Sequence, residues 1–287
     1  MDITKIDGQY AKKLLPPRKA DGHKGDFGKV LVIGGSVGYT GAPVFAANAA
    51  VRGGCGLVFL AVPRCVYPIV AARCDSAMPF PLPSDEEHRV FDALEPILER
   101  AAVCGCVALG CGLGRSAASD ELVRELLARL KCPVVLDADG INALAGHIDV
   151  LDARRDRVTI LTPHEGEFVR VGGALSQGRA AAAREFALRH GCTLVLKGAG
   201  TIVAAPDGTL AENTSGNCGM AKGGSGDVLT GLVASILAQG TDAFSAAALG
   251  VFLHGCAGDI AAGRHTQYAM TPNDMLASFG AAFAKIL

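Results

Sequence analysis

The sequence predicts an α/β fold in which a mostly parallel β-sheet is covered by helices on both faces. Short apolar runs alternate with helical patterns along most of the chain, and these runs end just before polar or glycine-rich loops. Strands that are buried on both faces lose the alternation of polar and apolar residues, so such runs are typical of parallel sheets. The chain has 287 residues and shows no low-complexity linker or repeat. We therefore predict a single domain over residues 1–287.

The predicted strands are short and rich in β-branched residues. They cover 29–35, 56–62, 106–110, 133–138, 158–162 and 193–197. Residues 201–210 (TIVAAPDGTL) differ, because Pro206-Asp207-Gly208 predicts a turn between two strands. The sequence thus predicts an antiparallel hairpin near the sheet edge. The proline-rich stretch 78–85 (MPFPLPSD) predicts a loop.

The helical patterns repeat apolar residues at spacings of three and four. They cover 42–53, 120–130, 225–239, 243–262 and a last segment from about Pro272, so the C-terminal part is predicted to form a helical layer. The uncharged stretch from Val30 to Val51 is long enough to span a membrane. It contains several glycines and Pro43 and divides into strand, loop and helix patterns. We expect no membrane segment there.

Composition argues against several classes of function. The net charge of −1 gives no general attraction to nucleic acid or to an anionic membrane surface. Trp is absent and Tyr occurs four times, so no aromatic platform for stacking bases is visible. The ten Cys form no CxxC pair and no cluster with zinc spacing, and the charged N-terminus has no signal-peptide pattern. We expect a reduced, cytoplasmic protein without structural zinc.

A glycine-rich loop precedes the helical pattern that starts near residue 225. In GNCGMAKGGSGDVLTG (216–231), Gly223, Gly224 and Gly226 leave backbone N–H groups open at a helix N-terminus, which favours an anion such as phosphate. Phosphate would repel Asp227 unless its carboxylate serves the chemistry, for example by accepting a proton from an attacking hydroxyl. Asp227 also suits a plain first-turn acid that stabilises the helix dipole. The residues alone leave both interpretations open.

The segment TPHEGEF (162–168) predicts the start of another helix. Thr162 as the N-cap, a proline at the next position and Glu165 are expected to form a capping box. This assignment leaves His164 and Glu167 free to face the cleft.

The loops KGAGT (197–201) and DADGIN (137–142) each have two interpretations. Lys197 is a solvated strand end, or the cation that neutralises a phosphate at the glycine loop. The polar side chains of DADGIN line the cleft or cap the next helix. Because ligands of open α/β sheets bind outside the carboxyl ends of the strands, we expect these loops and the glycine loop to line one cleft.

The sequence argues against two common motifs, the nucleophile elbow of α/β hydrolases and the Walker A motif of nucleotide-binding proteins. Residues 34–38 (GGSVG) match GxSxG, but Tyr39-Thr40-Gly41 intervene before the next helix, which argues against the nucleophile elbow of an α/β hydrolase. The one Gly-Lys pair is followed by Val30, so the chain has no Walker A sequence.

Taken together, the motifs resemble those of the ADP/ATP-dependent NAD(P)H-hydrate dehydratases, a branch of the ribokinase-like superfamily. The resemblance runs from about His23 to the C-terminus. It is carried, in the order of that family, by GDFGKVLVIGGSVGYTGAPVFAANAAVRGGCGLV, GCGLG, DADGIN, LTPHEGEF, KGAGT and GNCGMAKGGSGDVLTG. It implies a ribokinase-like sheet and the repair of hydrated NADH or NADPH, in which the ring hydroxyl is phosphorylated and phosphate is then eliminated. ADP is the implied phosphoryl donor, ATP is the other possibility, and Mg²⁺ is the implied cofactor.

The resemblance also implies roles for individual residues. Asp227 is the implied catalytic base. The implied substrate contacts are Ala42, Gly112, His164 and Asp227. The implied nucleotide contacts are Lys197, Gly198, Ala199, Gly200, Thr201, Asn217, Gly223, Gly224, Ser225 and Gly226. Glu167 stands where related kinases carry an Asn-x-x-Glu motif, which implies a direct or indirect part in holding Mg²⁺.

Three residues depart from the pattern of the family. Cys111 replaces the usual Pro in GCGLG, and Lys222 and Ser225 replace Thr in the final motif. Ser225 keeps a hydroxyl, whereas Lys222 brings a positive charge that faces either the phosphates or solvent. None of these changes removes a group that the implied reaction needs.

The resemblance extends to partners and to an alternative function. Many relatives carry an epimerase domain ahead of this one. Because about 25 residues precede the first predicted strand, we expect the epimerase to be a separate protein. A homo-oligomer, in particular a tetramer, is implied. The alternative function is a kinase of small alcohols such as thiamin precursors, which shares the fold and the aspartate.

Overall fold

A mixed β-sheet of ten strands organises the part of the chain that the structure describes. The computed structural model describes residues 2–84, 90 and 92–287. The strands are β1 (Thr4–Ile6), β2 (Lys29–Ile33), β3 (Leu57–Pro63), β4 (Met78–Leu82), β5 (Cys106–Leu109), β6 (Val134–Leu136), β7 (Thr159–Leu161), β8 (Thr193–Leu196), β9 (Ile202–Ala204) and β10 (Leu210–Asn213). Their order across the sheet is β1-β10-β9-β8-β7-β6-β5-β2-β3-β4.

The sheet is parallel except around β9. This strand runs antiparallel to both β8 and β10, and it pairs Val203 with Val195 on one side and with Ala211 on the other. The turn between β9 and β10 closes with a hydrogen bond from the Ala205 N–H to the Thr209 carbonyl. The predicted fold class and the predicted hairpin are therefore confirmed.

Two edge strands correct the expectations from sequence. Residues 78–82, expected to be a loop, form β4 and pair in parallel with β3. Pro79 and Pro81 are two residues apart, so both place their missing N–H on the same side, and an edge strand needs partners on only one side. The last residue of the proline-rich stretch, Asp85, lies outside the described residues. At the other edge, three residues near the N-terminus form β1 beside β10, a pairing too short to show as a pattern.

Twelve α-helices cover the two faces within the described residues. They are α1 (Gly8–Leu14), α2 (Gly41–Arg52), α3 (Tyr67–Ala71), α4 (Leu94–Ala101), α5 (Ala117–Arg129), α6 (Asp139–Asn142), α7 (Asp149–Asp152), α8 (Glu165–Arg170), α9 (Arg179–His190), α10 (Ser225–Ala238), α11 (Ala243–Ala269) and α12 (Pro272–Ala284). The helices predicted over 42–53, 120–130, 225–239 and 243–262 are thus present as α2, α5, α10 and α11, although one or both ends of each differ from the prediction. The last helix, α12, begins at the predicted Pro272.

The two faces of the sheet carry separate hydrophobic cores because successive side chains of a strand point in opposite directions. In β2, Val30 and Val32 pack under α2, α10, α11 and α12, whereas Leu31 and Ile33 pack under α4 to α9. The six central strands of the sheet are buried at every residue except Lys29 of β2. They are β9, β8, β7, β6, β5 and β2. The continuous apolar runs of the sequence follow from this double burial.

Within the described residues, one helix has the length and apolar composition needed to cross a membrane. It is α11, and 72% of its most apolar window is buried inside the protein. That burial is typical of a core helix. The stretch from Val30 to Val51 divides into β2, a turn and α2, as predicted.

Candidate active site

The loops singled out in the sequence meet at the carboxyl ends of the parallel strands. Ser36, after β2, donates its hydroxyl hydrogen to the Gly112 carbonyl after β5, at 2.9 Å. Asp137, after β6, accepts hydrogen bonds from Lys197 after β8 and from Thr230 on α10. The loops that were predicted to line a cleft thus lie together at this edge of the sheet. Ser36 is 4% exposed and bonded to backbone, so it is not presented as a nucleophile.

Asp227 lies on the first turn of α10, partly buried beside a second carboxylate and a cysteine thiol. One donor atom from each of Cys111, Asp137 and Asp227 lies within 4.8 Å of the others. Burial, and next the charge of Asp137, raise the pKa of Asp227 to about 6, while a hydrogen bond with Cys111 and the charge of Lys197 act in the opposite direction. A carboxyl with this pKa is mostly ionised at neutral pH and is a stronger base than an ordinary aspartate.

Asp137 forms a buried ion pair that the sequence left unassigned. Its Oδ1 lies 2.8 Å from Lys197 Nζ, and its side chain is 2% exposed. Burial alone would raise the pKa of Asp137, but the charge and hydrogen bond of Lys197 and the hydroxyls of Thr230 and Thr162 lower it below its usual value. Asp137 is therefore ionised, and DADGIN lines the cleft with its first residue.

The residue after Asp137 has a strained backbone. Ala138 adopts φ 48° and ψ −117°, a region that residues with a Cβ rarely occupy. Such strain persists where surrounding contacts fix the chain, and it concentrates at functional sites. Here the Asp137 N–H donates to the Leu109 carbonyl and the Gly140 N–H donates to the Asp137 carbonyl, which fixes the direction of this strand end.

The glycine loop before α10 exposes backbone toward the cleft. A Cβ on Gly223 would meet no atom within 4 Å, whereas Gly224 (φ +100°) packs so tightly that its Cβ would lie 2.8 Å from the Phe45 ring. A Cβ on Gly226 would lie 3.3 Å from Lys197 Nζ. The first N–H groups of a helix have no partner within that helix, so bare backbone and a cation face the same space.

Ser225 is turned away from this space. Its hydroxyl lies 3.8 Å from the Met275 sulfur, and its carbonyl accepts a hydrogen bond from His254 Nε2 at 2.8 Å. Burial lowers the pKa of His254 to about 4, so this histidine is neutral and donates. The Ser225 N–H also donates to the Lys222 carbonyl at 3.2 Å, so both backbone groups of Ser225 are engaged within the protein and its hydroxyl packs in the core.

The helix start in TPHEGEF lies two residues later than expected. His164 is the N-cap of α8: its Nδ1 accepts from the Glu167 N–H at 3.2 Å, and Glu167 Oε2 accepts from the His164 N–H at 2.9 Å. The predicted capping box with Thr162 and Glu165 is wrong, because Thr162 continues the strand pairing and donates to the Leu136 carbonyl. Since His164 Nδ1 accepts, the ring proton is on Nε2, and the side chain is 58% exposed.

Ala42 and Gly112 are in direct contact, as two parts of one surface should be. A Cβ on Gly112 (φ +64°) would lie 2.9 Å from Ala42 Cβ and 2.9 Å from the Tyr39 carbonyl. The GCGLG turn therefore packs against the N-terminus of α2 only because residue 112 has no side chain.

Comparison with known proteins agrees with this geometry. The sequence profile described as NAD(P)H-hydrate dehydratase matches residues 30–279. The chain belongs to the NAD(P)H-hydrate dehydratase family. It is 45% identical over 276 residues to the bifunctional NAD(P)H-hydrate repair enzyme of Moorella thermoacetica, which covers 94% of this chain and 52% of that protein. It is 40% identical over 249 residues to the ADP-dependent (S)-NAD(P)H-hydrate dehydratase of Neisseria meningitidis, covering 85% of this chain and 80% of that one.

Solved structures agree with the family assignment. The ADP/ATP-dependent NAD(P)H-hydrate dehydratase of Bacillus subtilis, co-crystallised with ATP/Mg²⁺, superposes with a TM-score of 0.85 at 29% identity over the full length of both chains. A hydroxyethylthiazole kinase from Pyrococcus horikoshii superposes with a TM-score of 0.59 at 15% identity, over 96% of this chain and 91% of that one, and shares the ribokinase-like fold alone. The chain spans about half the length of the bifunctional relatives it matches.

Two residues of the motif GNCGMAKGGSGD, Asn217 and Lys222, form hydrogen bonds with α11 and the residue that follows it. Lys222 donates its ammonium hydrogens to the carbonyls of Tyr268 and Met270, at 2.7 and 2.6 Å, at the end of α11. The sequence predicts that the Lys222 ammonium faces either the nucleotide phosphates or solvent, but the ammonium binds backbone carbonyls instead. Asn217 accepts from the Gly219 N–H and donates to Asp259. Both residues shape the glycine loop by tying it to α11.

Arg179 is a site residue that sequence reasoning missed. From the first position of α9, its guanidinium donates to the backbone carbonyls of Leu196, Lys197, Ala199 and Gly200 at 2.7 to 3.1 Å. Its Nε lies 3.1 Å from Glu165 Oε1, so it also joins this loop to TPHEGEF. The residue follows a glycine some 18 positions before KGAGT and belongs to no motif, so only the fold reveals it.

Glu167, for which the sequence implies a part in holding Mg²⁺, is a nearly buried carboxylate at this site. It is 6% exposed, Oε2 accepts the His164 N–H, and Oε2 lies 3.8 Å from Lys197 Nζ. Its oxygens are thus partly engaged by the protein. Mg²⁺ keeps several waters and is usually held by one or two carboxylates together with nucleotide phosphates, so Glu167 suits contact through water or phosphate.

Proposed function

We propose that this chain is an ADP-dependent (S)-NAD(P)H-hydrate dehydratase. It would phosphorylate the ring hydroxyl of hydrated NADH or NADPH and eliminate phosphate, which yields NAD(P)H, AMP and phosphate. The observation that supports this most directly is the position of Asp227, a base with a pKa of about 6 at the N-terminus of α10. Beside it, a glycine loop and Lys197 offer N–H groups and a cation to a phosphoryl group.

In the first step, Asp227 accepts the hydroxyl proton as the hydroxyl oxygen attacks the terminal phosphorus of the nucleotide. The bond from that phosphorus to the leaving nucleotide oxygen breaks, so ADP becomes AMP. The N–H groups of Gly223, Gly224 and Gly226 and the ammonium of Lys197 would face the charge that spreads over the phosphoryl oxygens. The N–H of Ser225 is not counted among them, because it donates to the Lys222 carbonyl.

In the second step, the C–O bond to the new phosphate ester breaks. The lone pair of the neighbouring ring nitrogen supplies electrons, phosphate leaves with the bonding pair, and the adjacent ring carbon loses a proton to restore the double bond. Hydroxide is a poor leaving group and phosphate a good one, so the nucleotide makes the dehydration possible.

The remaining residues are proposed to position the two substrates. Ala42, Gly112 and the Nε2–H of His164 would contact the hydrate, and residues 197–201 with Asn217 and 223–226 would hold the nucleotide. Bound Mg²⁺ would neutralise phosphate charge, with Glu167 acting through water or phosphate.

Three parts of the proposal rest on the family resemblance. They are the choice of ADP over ATP, a homotetrameric and cytoplasmic enzyme, and epimerisation of the hydrate by a protein region outside residues 1–287.

A paired assay tests the function. Purified protein, NADH hydrate and Mg²⁺ are incubated with ADP or with ATP, and recovery of the dihydronicotinamide absorbance is followed. We expect recovery with ADP. Recovery with ATP alone would correct the donor. No recovery with either, from folded protein that binds nucleotide, would contradict the proposal, and formation of a stable phosphorylated alcohol would point to a kinase.

Arg179→Met is expected to raise the KM for the nucleotide about tenfold or more, because the carbonyls of residues 196–200 lose the guanidinium that holds them in place. The KM for the hydrate should change much less. Steady-state kinetics with each substrate varied in turn measure both. The matched control is Arg184→Met on the same helix, whose guanidinium donates to the Gly208 carbonyl at the hairpin turn. Equal effects of the two substitutions would contradict the role of Arg179.

A further inference from the structure

Asp137 links α10, the helix that carries Asp227, to Lys197 at the end of β8. Its side chain is 2% exposed, and its two oxygens have different partners. Oδ1 lies 2.8 Å from Lys197 Nζ, and Oδ2 accepts the Thr230 hydroxyl hydrogen at 2.7 Å. Asp137 is the first residue of the motif DADGIN, yet the two reaction steps above give it no role, and a buried acid is costly unless it is paired.

The hydrogen bond from Thr230 attaches Asp137 directly to α10, the helix on which Asp227 lies. It lies three residues after Asp227 on α10, close to one turn, and is fully buried. Its hydroxyl also lies 3.1 Å from the Gly226 carbonyl, in the first turn of the same helix. Asp137 therefore holds the start of α10 against the end of β6, and the strained Ala138 fixes the direction of that strand end.

We propose that Asp137 is a positioning residue of the reaction, which anchors α10 through Thr230 and keeps a compensated negative charge beside Asp227. This inference rests on the proposed function, because it concerns the base of that reaction. Asp137 does not touch the reacting atoms in this role. It acts through Lys197, Thr230 and Asp227.

The charges around Asp227 explain how the ion pair of Asp137 and Lys197 affects the ionisation of Asp227. Four side chains face it: Cys111 from the loop after β5, Asp137 and Asp139 from the loop after β6, and Lys197 from the loop after β8. The two acids oppose its ionisation, whereas the thiol and the ammonium favour it. Without Asp137, the ammonium would act on Asp227 uncompensated, and the base would be weaker. With Asp137, the base ionises near pH 6, so it can accept a proton at neutral pH and release it again after turnover.

The test is the pH dependence of kcat/KM, which reports the pKa of the essential base in the free enzyme. Asp137→Asn should move the acidic limb down by about one pH unit or more, because a negative charge within a few ångströms is lost and Lys197 is freed. Lys197→Gln should move it up, whatever its cost in nucleotide affinity. Asp149→Asn, an exposed acid on α7, is the matched control and should leave the limb in place.

A purely structural role for Asp137 would lower the rate equally at every pH and leave the limb unmoved, which would overturn the proposal. If Asp137→Asn does not fold, the double substitution Asp137→Asn with Lys197→Gln removes both charges of the pair and is compared with Lys197→Gln alone. The acidic limb of the double variant should lie lower, and equal limbs would overturn the proposal.

A direct titration separates this inference from the proposed function. The carboxyl ¹³C signal of Asp227, assigned by its absence in Asp227→Asn, is followed against pH in the wild type and in both variants. If the wild type fails to repair the hydrate, the proposed function fails, yet opposite shifts of this signal would still support the pairing. If the wild type repairs the hydrate but the Asp227 signal titrates identically in the wild type and the variants, the inference about Asp137 fails while the proposed function stands.

Discussion

Asp227→Asn should lower kcat by up to about 10⁴-fold and at the same time make the folded protein more stable above pH 7. Asparagine has nearly the shape of aspartate but cannot accept the hydroxyl proton. Positioned general bases contribute about 10²- to 10⁴-fold to rate, so we expect a loss of kcat in the upper part of that range. Nucleotide binding should persist, because the anion also loses a repelling charge.

The stability gain follows from the direction of the pKa shift. Burial raises the pKa of Asp227 from 3.8 to about 6, so the folded protein binds this proton more tightly than the unfolded chain does. The stability that the protonated group contributes is complete below about pH 4 and is lost as pH rises through about 6. At pH 8 the ionised, partly buried carboxylate destabilises the fold, by about 1–3 kcal/mol in order of magnitude. The neutral amide avoids that cost.

Chemical unfolding at pH 4 and pH 8 measures the effect. Asp227→Asn should unfold at higher denaturant than the wild type at pH 8 and at nearly the same denaturant at pH 4. Asp274→Asn provides a matched control, because Asp274 is the third residue of α12 just as Asp227 is the third residue of α10. A hydrogen bond from Thr271 lowers the pKa of Asp274, so its loss should destabilise the protein above pH 4. A stabilised Asp274→Asn, or an Asp227→Asn variant less stable at pH 8, would contradict this account.

The contrast between these two aspartates shows how far sequence reasoning reaches. Both follow a helix start, and pattern alone assigns both to the first turn. The strand–loop order placed Asp227 in a cleft because parallel strands end at one edge, and the structure confirms that edge. Burial, and next the charge of Asp137, raise the pKa of Asp227. Asp137 lies 90 residues earlier along the chain, so the motif DADGIN indicated a polar loop but not its pairing with α10.

The same limit explains the other differences. The sequence predicts the capping box two residues too early, at Thr162 instead of His164, because Thr162 and Pro163 form a strong local signal that strand pairing overrides. Lys222 and Arg179 bind backbone carbonyls of distant segments, contacts that exist only after the chain has folded. Strands β1 and β4 are edge strands whose short or proline-containing sequences carry no pattern. Local propensity and periodicity thus predicted the layers and the cleft, whereas the contacts that tune the cleft are long-range.

Gly231→Ala should unfold the protein or lower its stability by about 3 kcal/mol or more. Gly231 lies in the middle of α10, where α10 packs against α2. A Cβ there would lie 1.9 Å from the Ala46 carbonyl oxygen and 2.6 Å from its carbon, so the backbones of the two helices would have to separate. Overpacking of a core costs about 1–3 kcal/mol when side chains adjust, and a backbone atom adjusts less. The better helix propensity of alanine, about 1 kcal/mol, does not offset this.

The substitution also tests whether the α2–α10 contact sets the active site. Residues 227 and 231 are four apart and share one side of α10, so a shift of this helix away from α2 carries Asp227 away from Ala42 and Gly112. Folded Gly231→Ala protein should therefore lose kcat more than nucleotide affinity. Gly280→Ala in α12 is the matched control, because a Cβ there meets no atom within 4 Å, and it should stabilise the protein by up to about 1 kcal/mol. Thermal unfolding of the pair compares them directly. Similar stabilities would mean that α10 and α2 can separate at little cost, and the close approach of these two helices would then not explain where Asp227 lies.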